Sequence, residues 1–318
     1  MAHDAERVRG ALIMAYGSPG SPEEIESYYT HIRRGRPPTD EALADLRGRY
    51  EALGGTSTLR RRTADQVSAI TLSLQHDQPG RWVTALGQKH AAPFVEDGVA
   101  HLLEVGATDI VGLVLAPHYS AASVGQYHDR ARATCAEAGI GYAGIHSWWG
   151  IDAYRRFLAD QVTEALAELP TATRVLITAH SLPLRVLEGD PYVDELTASA
   201  TAIAEAAGLS ADRWALGWQS AGRTPEPWAG PDILDELRTL ADDDEVDGVL
   251  VVPQGFTADH LEVAYDLDIE ASQLADSLGL AFARTSVVND DVAVMADLAE
   301  LIHEQTPERG VPSSALET

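Results

Sequence analysis

Short runs rich in β-branched and aliphatic residues alternate along this chain with longer amphipathic stretches, and no other feature limits its fold so strongly. ALIMAY (11–16), WVTAL (82–86), DIVGLVLA (109–116), RVLITA (174–179), RWALGW (213–218) and VDGVLVV (246–252) read as buried strands. Their near-continuous apolar character implies cover on both faces, as in parallel sheets. Between them, TADQVSAITLSLQH, APFVEDGVAHLLEVG, YRRFLADQVTEALAEL and DILDELRTLADD carry helical periodicity. Such alternation builds right-handed βαβ units, so the expected class is α/β. The strands fall into two groups, before about residue 145 and after about 172. We therefore expect two α/β domains of similar size, over 1–148 and 149–306, with a cleft between them. The polar, Pro- and Ser-bearing tail, 307–318, is expected to be disordered.

Composition narrows the class of partner. With 318 residues, 45% of them hydrophobic, the chain can bury a sizeable core without staples. Its 49 acidic against 23 basic residues give a formal charge of −26, which repels nucleic acid and anionic lipid. That charge reads either as a strongly solvated surface or as a field drawing in cations. Cys135 is the only cysteine, which excludes an internal disulfide, a cysteine-rich zinc site and an iron–sulfur cluster held by this chain alone. In ATCAEAG it reads as a small core hydrophobe. The start of the chain lacks a signal-peptide pattern, and no apolar run reaches the roughly 20 residues that span a bilayer. A cytoplasmic, soluble, monomeric protein without stable membrane insertion is the expectation.

In open α/β sheets, functional groups gather beyond the carboxyl ends of the strands. Here that rule selects Tyr16, Lys89 and His90, His118, His180, Gln219 and Ser220, and residues 254–256. A single histidine after a strand is commonly structural, whereas several on one rim point to a site. No GxGxxG follows a strand and no GxxxxGK[ST] or GxSxG occurs, so nothing cradles a dinucleotide or a nucleoside triphosphate, and no hydrolase elbow is present. The stretch GFTADHLEVAYDLDIE (255–270) instead stacks Glu262, Asp266 and Glu270 at four-residue spacing, on one helix face. Like charges so spaced repel, by a few tenths of a kcal/mol per pair. Either the face is merely solvated, or a cation relieves it. Imidazole nitrogen from His180 with hard carboxylate oxygens suits a borderline dication such as Fe²⁺.

MAYGSP, YYTHIRRGRPP, RYEALGG, GQKH, VLAPHYS, TAHSLP, GWQSAGRTPEPW and GFTADHLEVAYDLDIE follow one another in an order that resembles the ferrochelatase family, over about residues 10–305. The segments YYTHIRRGR and RYEALGG most resemble the cluster-free enzymes of Gram-positive bacteria that act on coproporphyrin III. The resemblance implies a lyase of haem biosynthesis that inserts Fe²⁺ into a porphyrin lying in a cleft between two Rossmann-like domains, with release of two protons. No organic cofactor is implied, and no iron–sulfur cluster. Partners are the porphyrin and Fe²⁺, with room for transient contact with neighbouring enzymes of the pathway.

Residue by residue, the resemblance assigns His180 as the proton acceptor and Glu262 as its anionic partner, the two together binding or passing the metal. Asp266 and Glu270 form a metal relay toward them, on a helix with a wider π-type turn. His260 is expected to hydrogen-bond within the start of that helix rather than to ligate metal. Arg33, Arg49, Tyr50, Ser57 and Tyr127 are implied to hold the propionates, and Tyr16 to face the ring opposite His180. Trp228 lines the cleft or packs in the core. Three alternatives remain beside this reading: protoporphyrin IX as substrate, a corrin precursor taking cobalt or nickel, and a haem-binding module without catalysis.

Overall fold

The computed structural model describes residues 7–222 and 224–309. Nine strands run in chain order as β1 (Arg9–Ala15), β2 (Trp82–Gln88), β3 (Asp109–Val114), β4 (Gly141–Ile145), β5 (Thr173–His180), β6 (Trp214–Gln219), β7 (Gly248–Val252), β8 (Ala281–Arg284) and β9 (Glu308–Arg309). They form two sheets, ordered β2-β1-β3-β4-β9 and β6-β5-β7-β8. Every pairing is parallel except that of β9 with β4. All six strands expected from the sequence are present, within two residues at either end. β4, β8 and β9 escape the hydrophobic pattern, because GYAGI carries two glycines and the other two are short edge strands.

One compact unit comprises the described residues up to Gly48, together with Leu59–Trp148 and the described residues from Asp290 onward. Its sheet is covered by apolar side chains such as Leu12, Met14, Val99, Leu102 and Ile110, with Cys135 buried among them as a hydrophobe. Burial pushes the Cys135 thiol up to about 12. The helix Val292–Glu304 returns to this unit and lies against the helix Leu59–Asp77. His303 meets the edge of the Trp82 ring there, and Arg9 donates to the carbonyl of Gln305 at 2.7 Å.

The second unit comprises Arg49–Thr58 and Trp149–Asn289. Leu176, Val249, Val251, Val263 and Leu267 form one of its cores. Thr58 joins it by donating to the Asp259 carbonyl at 2.8 Å. The linear division at 148/149 therefore differs from the contacts: residues 49–58 lie with the later part of the chain, and those after 289 with the earlier part. The expected disordered tail does not begin at 307, since Glu308 and Arg309 pair with Tyr142 and Gly141. Residues 310–318 lie outside the described residues. Among the described residues no helix is long and apolar enough to cross a membrane.

Candidate active site

β5 ends at His180, beside Gln219 at the end of β6 in parallel register. The imidazole Nδ1–H donates to the Ser181 carbonyl at 2.5 Å. A carbonyl can only accept, so the proton on Nδ1 is fixed and Nε2 is the working nitrogen. Nε2 stands 3.6 Å from Glu262 Oε2, and each side chain keeps about a third of its surface exposed (33% and 35%). Enclosure works against the charged imidazole, but the Glu262 carboxylate, and behind it Asp266, hold His180 above its ordinary value. Enclosure likewise opposes the carboxylate, yet His180 and His260 hold Glu262 well below the usual carboxylate range. While the imidazole holds its second proton, the two form an ion pair.

Glu262 sits in a short helix, Leu261–Ala264, that runs into a π-helical turn at Asp266–Ala271. The Glu270 amide donates to the Tyr265 carbonyl at 2.9 Å, a five-residue step that widens the turn. Asp266 in the middle of the acid row is buried, and its carboxylate is already occupied. It takes Arg49 Nη1 on Oδ1 at 3.1 Å and the Ser220 hydroxyl on Oδ2 at 2.6 Å. The Arg49 guanidinium lies 4.9 Å from the Tyr265 ring centroid. Ser220 reaches its place in the left-handed backbone region, at φ 61°, which few non-glycine residues adopt. Burial, with Glu262 and Glu270 nearby, raises the Asp266 carboxyl to about 6, against the pull of Ser220 and Arg49. Tyr50 is buried in the same unit, its phenol pushed up by burial and by the charge of Glu262.

A second group of candidates belongs to the other unit. Tyr16, half-exposed after β1, rests its ring 4.6 Å from that of His90. His90 shares a hydrogen bond of 3.1 Å between Nδ1 atoms with His31, which stacks on Phe94. Burial, with Lys89, His31 and Arg130 nearby, lowers His90 to about 3, so it stays neutral. Lys89 lies 5.0 Å from the Tyr127 ring centroid, and burial with Arg130 and Arg34 lowers its ammonium to about 8.

A model of the family described as ferrochelatase matches residues 8–306. The chain belongs to the ferrochelatase family. The coproporphyrin III ferrochelatase of Anoxybacillus flavithermus is 41% identical over 305 residues, covering 94% of this chain and 96% of its own. That of Bacillus subtilis is 42% identical over 300 residues, covering 92% and 96%. Among solved structures, SirB from Bacillus subtilis with Fe³⁺ matches 93% of this chain and 95% of its own with a TM-score of 0.56 at 12% identity, a likeness of fold.

Within this ferrochelatase, His180, Glu262, Asp266, Arg49 and Tyr50 fall in one unit, with Glu270 one turn beyond Asp266. Ser57 is half-buried in the loop that follows Arg49 and Tyr50. Tyr16, Arg33 and Tyr127 fall in the other unit. Arg33 is exposed with its guanidinium 5.7 Å from the Tyr29 ring centroid, whereas Tyr127 is buried and its phenol pushed up by burial. His118 is buried, with neither ring nitrogen hydrogen-bonded, and burial lowers it to about 3. Trp228 is half-buried, donating to Thr224 at 2.9 Å with its ring over Gly222.

His260 finds its partner within the helix start, on Glu262. Its side chain makes no capping bond at the helix start; Nε2 stands 3.5 Å from Glu262 Oε2, so that oxygen lies within reach of two imidazoles. The DHLE spacing carried that signal, because residues two apart at an extended helix start can converge on one atom. Among the described residues, no set of three or more His, Cys, Asp and Glu side chains is arranged to hold a metal ion.

Proposed function

We propose that this ferrochelatase inserts Fe²⁺ into coproporphyrin III, releasing the two pyrrole protons, as the names of its relatives state for those proteins. The observation that carries the mechanism is the His180–Glu262 pair, an imidazole with one nitrogen pinned and the other facing a carboxylate 3.6 Å away. The Glu262 carboxylate favours the protonated form of His180. A dication taken up by Glu262 neutralises that carboxylate, and the proton on Nε2 loses its electrostatic support. His180 then becomes a base while the metal waits beside it. It accepts the two pyrrole protons in turn, passing the first to solvent before taking the second, as the metal moves onto the ring nitrogens. No electron changes hands, and the reaction calls for no cofactor beyond its substrate iron.

Asp266 and Glu270 serve in this scheme as the relay by which the dication reaches Glu262. Arg33, Arg49, Tyr50, Ser57 and Tyr127 hold the four propionates, guanidinium groups being the best geometric match to carboxylates. For Arg49 this means exchanging or sharing its partner Asp266. Tyr16, half-exposed after β1, is a further substrate-contacting residue in this scheme. A soluble protein of the cytoplasm is the setting in which such a substrate would be met.

The test is anaerobic mixing of the purified protein with Fe²⁺ and either coproporphyrin III or protoporphyrin IX, followed by absorbance. We expect the metalloporphyrin spectrum with both and a higher kcat/KM for coproporphyrin. Preference for protoporphyrin would reverse the substrate assignment. Turnover only with a corrin precursor and cobalt, or tight haem binding with no turnover at all, would overturn the reading.

A further inference from the structure

Gln219 has no part in the chemistry above, yet it touches the supports of both partners in the His180–Glu262 pair. Its main-chain carbonyl accepts the Ser181 amide at 2.9 Å, and Ser181 is the residue whose carbonyl fixes the His180 tautomer. Its side-chain Nε2 donates to the main-chain carbonyl of Glu262 at 3.0 Å. Its Oε1 accepts from the Thr178 hydroxyl at 2.8 Å. The Glu262 carbonyl can only accept, so it settles which end of the amide faces it, and Oε1 is left to accept from the Thr178 hydroxyl, which braces the amide in that orientation. Gln219 and Thr178 both have no solvent-exposed surface, so these bonds form away from water and are costly to leave unmade.

We infer that Gln219 is a positioning residue, oriented by Thr178, that sets the separation of His180 and Glu262 by gripping the β5 end and the acid-helix start at once. Two elements far apart in sequence are thereby held by one rigid, buried amide rather than by the exposed side chains that do the chemistry. This inference rests on the proposed function for its catalytic consequence, while its structural content, a fixed two-ligand gap, stands apart from it.

The experiment compares Gln219→Leu, Gln219→Glu, Thr178→Val and Thr178→Ser with the parent, measuring Fe²⁺ insertion into coproporphyrin III, porphyrin affinity by fluorescence quenching, and Zn²⁺ affinity of the protein alone by calorimetry. We expect kcat to fall about tenfold to a hundredfold for both Gln219 variants, because misplacement on the ångström scale costs that much. Porphyrin KM should stay within about twofold, and Zn²⁺ binding should weaken at least about fivefold. Thr178→Val should move the same readouts in the same direction by a smaller factor, and Thr178→Ser, which keeps the hydroxyl, should restore them. Should Gln219→Leu fail to fold, the Thr178 pair decides by itself. Parental kcat and Zn²⁺ affinity in a folded Gln219→Leu protein, or equal losses in Thr178→Val and Thr178→Ser, overturn the inference. If the parent itself makes no metalloporphyrin, the functional reading falls, and the Zn²⁺ titrations still judge the clamp.

Discussion

Replacing Asp266 by Asn should change how stability depends on pH, and the size of the change follows from its surroundings. The native carboxyl is raised from 3.8 to about 6, chiefly by burial, with its side chain 9% exposed. The unfolded chain thus gives up this proton more readily than the native one. The stability the group lends is complete below about pH 3.8 and is lost as the pH climbs through 6. A shift of about two pKa units corresponds to roughly 3 kcal/mol in all, of which about 2 kcal/mol falls between pH 4.5 and 7.5. Asn cannot titrate, and its carbonyl still accepts from Ser220. Urea unfolding of both proteins, followed by tryptophan fluorescence, should therefore show the variant gaining on the parent by about 2 kcal/mol across that interval. A difference that stays flat, or that favours the parent at the higher pH, would mean that the native carboxyl is not raised and that Arg49 neutralises it fully. In its proposed relay role, the same group should also make metal insertion decline as the pH falls below about 6.

Three further outcomes follow from single contacts. His180→Ala should lower metalloporphyrin formation by about 10² to 10⁴, the usual worth of a general base, with porphyrin affinity retained by quenching and melting temperature little changed. Arg49→Gln leaves the buried Asp266 with Ser220 alone; we expect a loss of about 1–3 kcal/mol at pH 7.5 in urea unfolding, and a double-mutant cycle with Asp266→Asn should return a favourable coupling of at least about 0.5 kcal/mol. Gly255→Ala would set a methyl group 2.8 Å from Ala179 Cβ and 2.9 Å from its Cα, one residue before His180. That overlap should cost about 1–3 kcal/mol by calorimetry and depress insertion with it, and a variant with parental stability would show that the loop after β7 yields freely.

The parallel α/β architecture was legible because it depends on short-range information. ALIMAY and RVLITA are apolar enough to be strands covered on both faces wherever they pack, and the rule that function gathers at strand ends picked out His180 without any contact being known. The four-residue spacing of Glu262, Asp266 and Glu270 likewise marks a shared helix face from the sequence alone. β4 was not legible, since Gly144 is required by the His128 ring, 2.6 Å from where a Cβ would stand, and not by any local pattern. Nor could the sequence show that Val292–Glu304 covers the earlier sheet, since an amphipathic helix does not encode which sheet its apolar face will meet.

What the sequence determined by itself is a set of residue types in order: an imidazole at a strand end, a row of acids, and arginines placed where anionic groups could meet them. Only the tertiary structure decided their partners. Arg49 and Asp266, 217 residues apart, form a pair that makes the middle of the acid row an occupied site, not an open one. His260 turns toward Glu262 and not into the helix cap. Gln219 ties the two sides together through a buried amide. Periodicity is set by neighbours within a turn or a strand, whereas the choice of partner for a charge depends on desolvation and distance, which exist only once the chain has closed on itself.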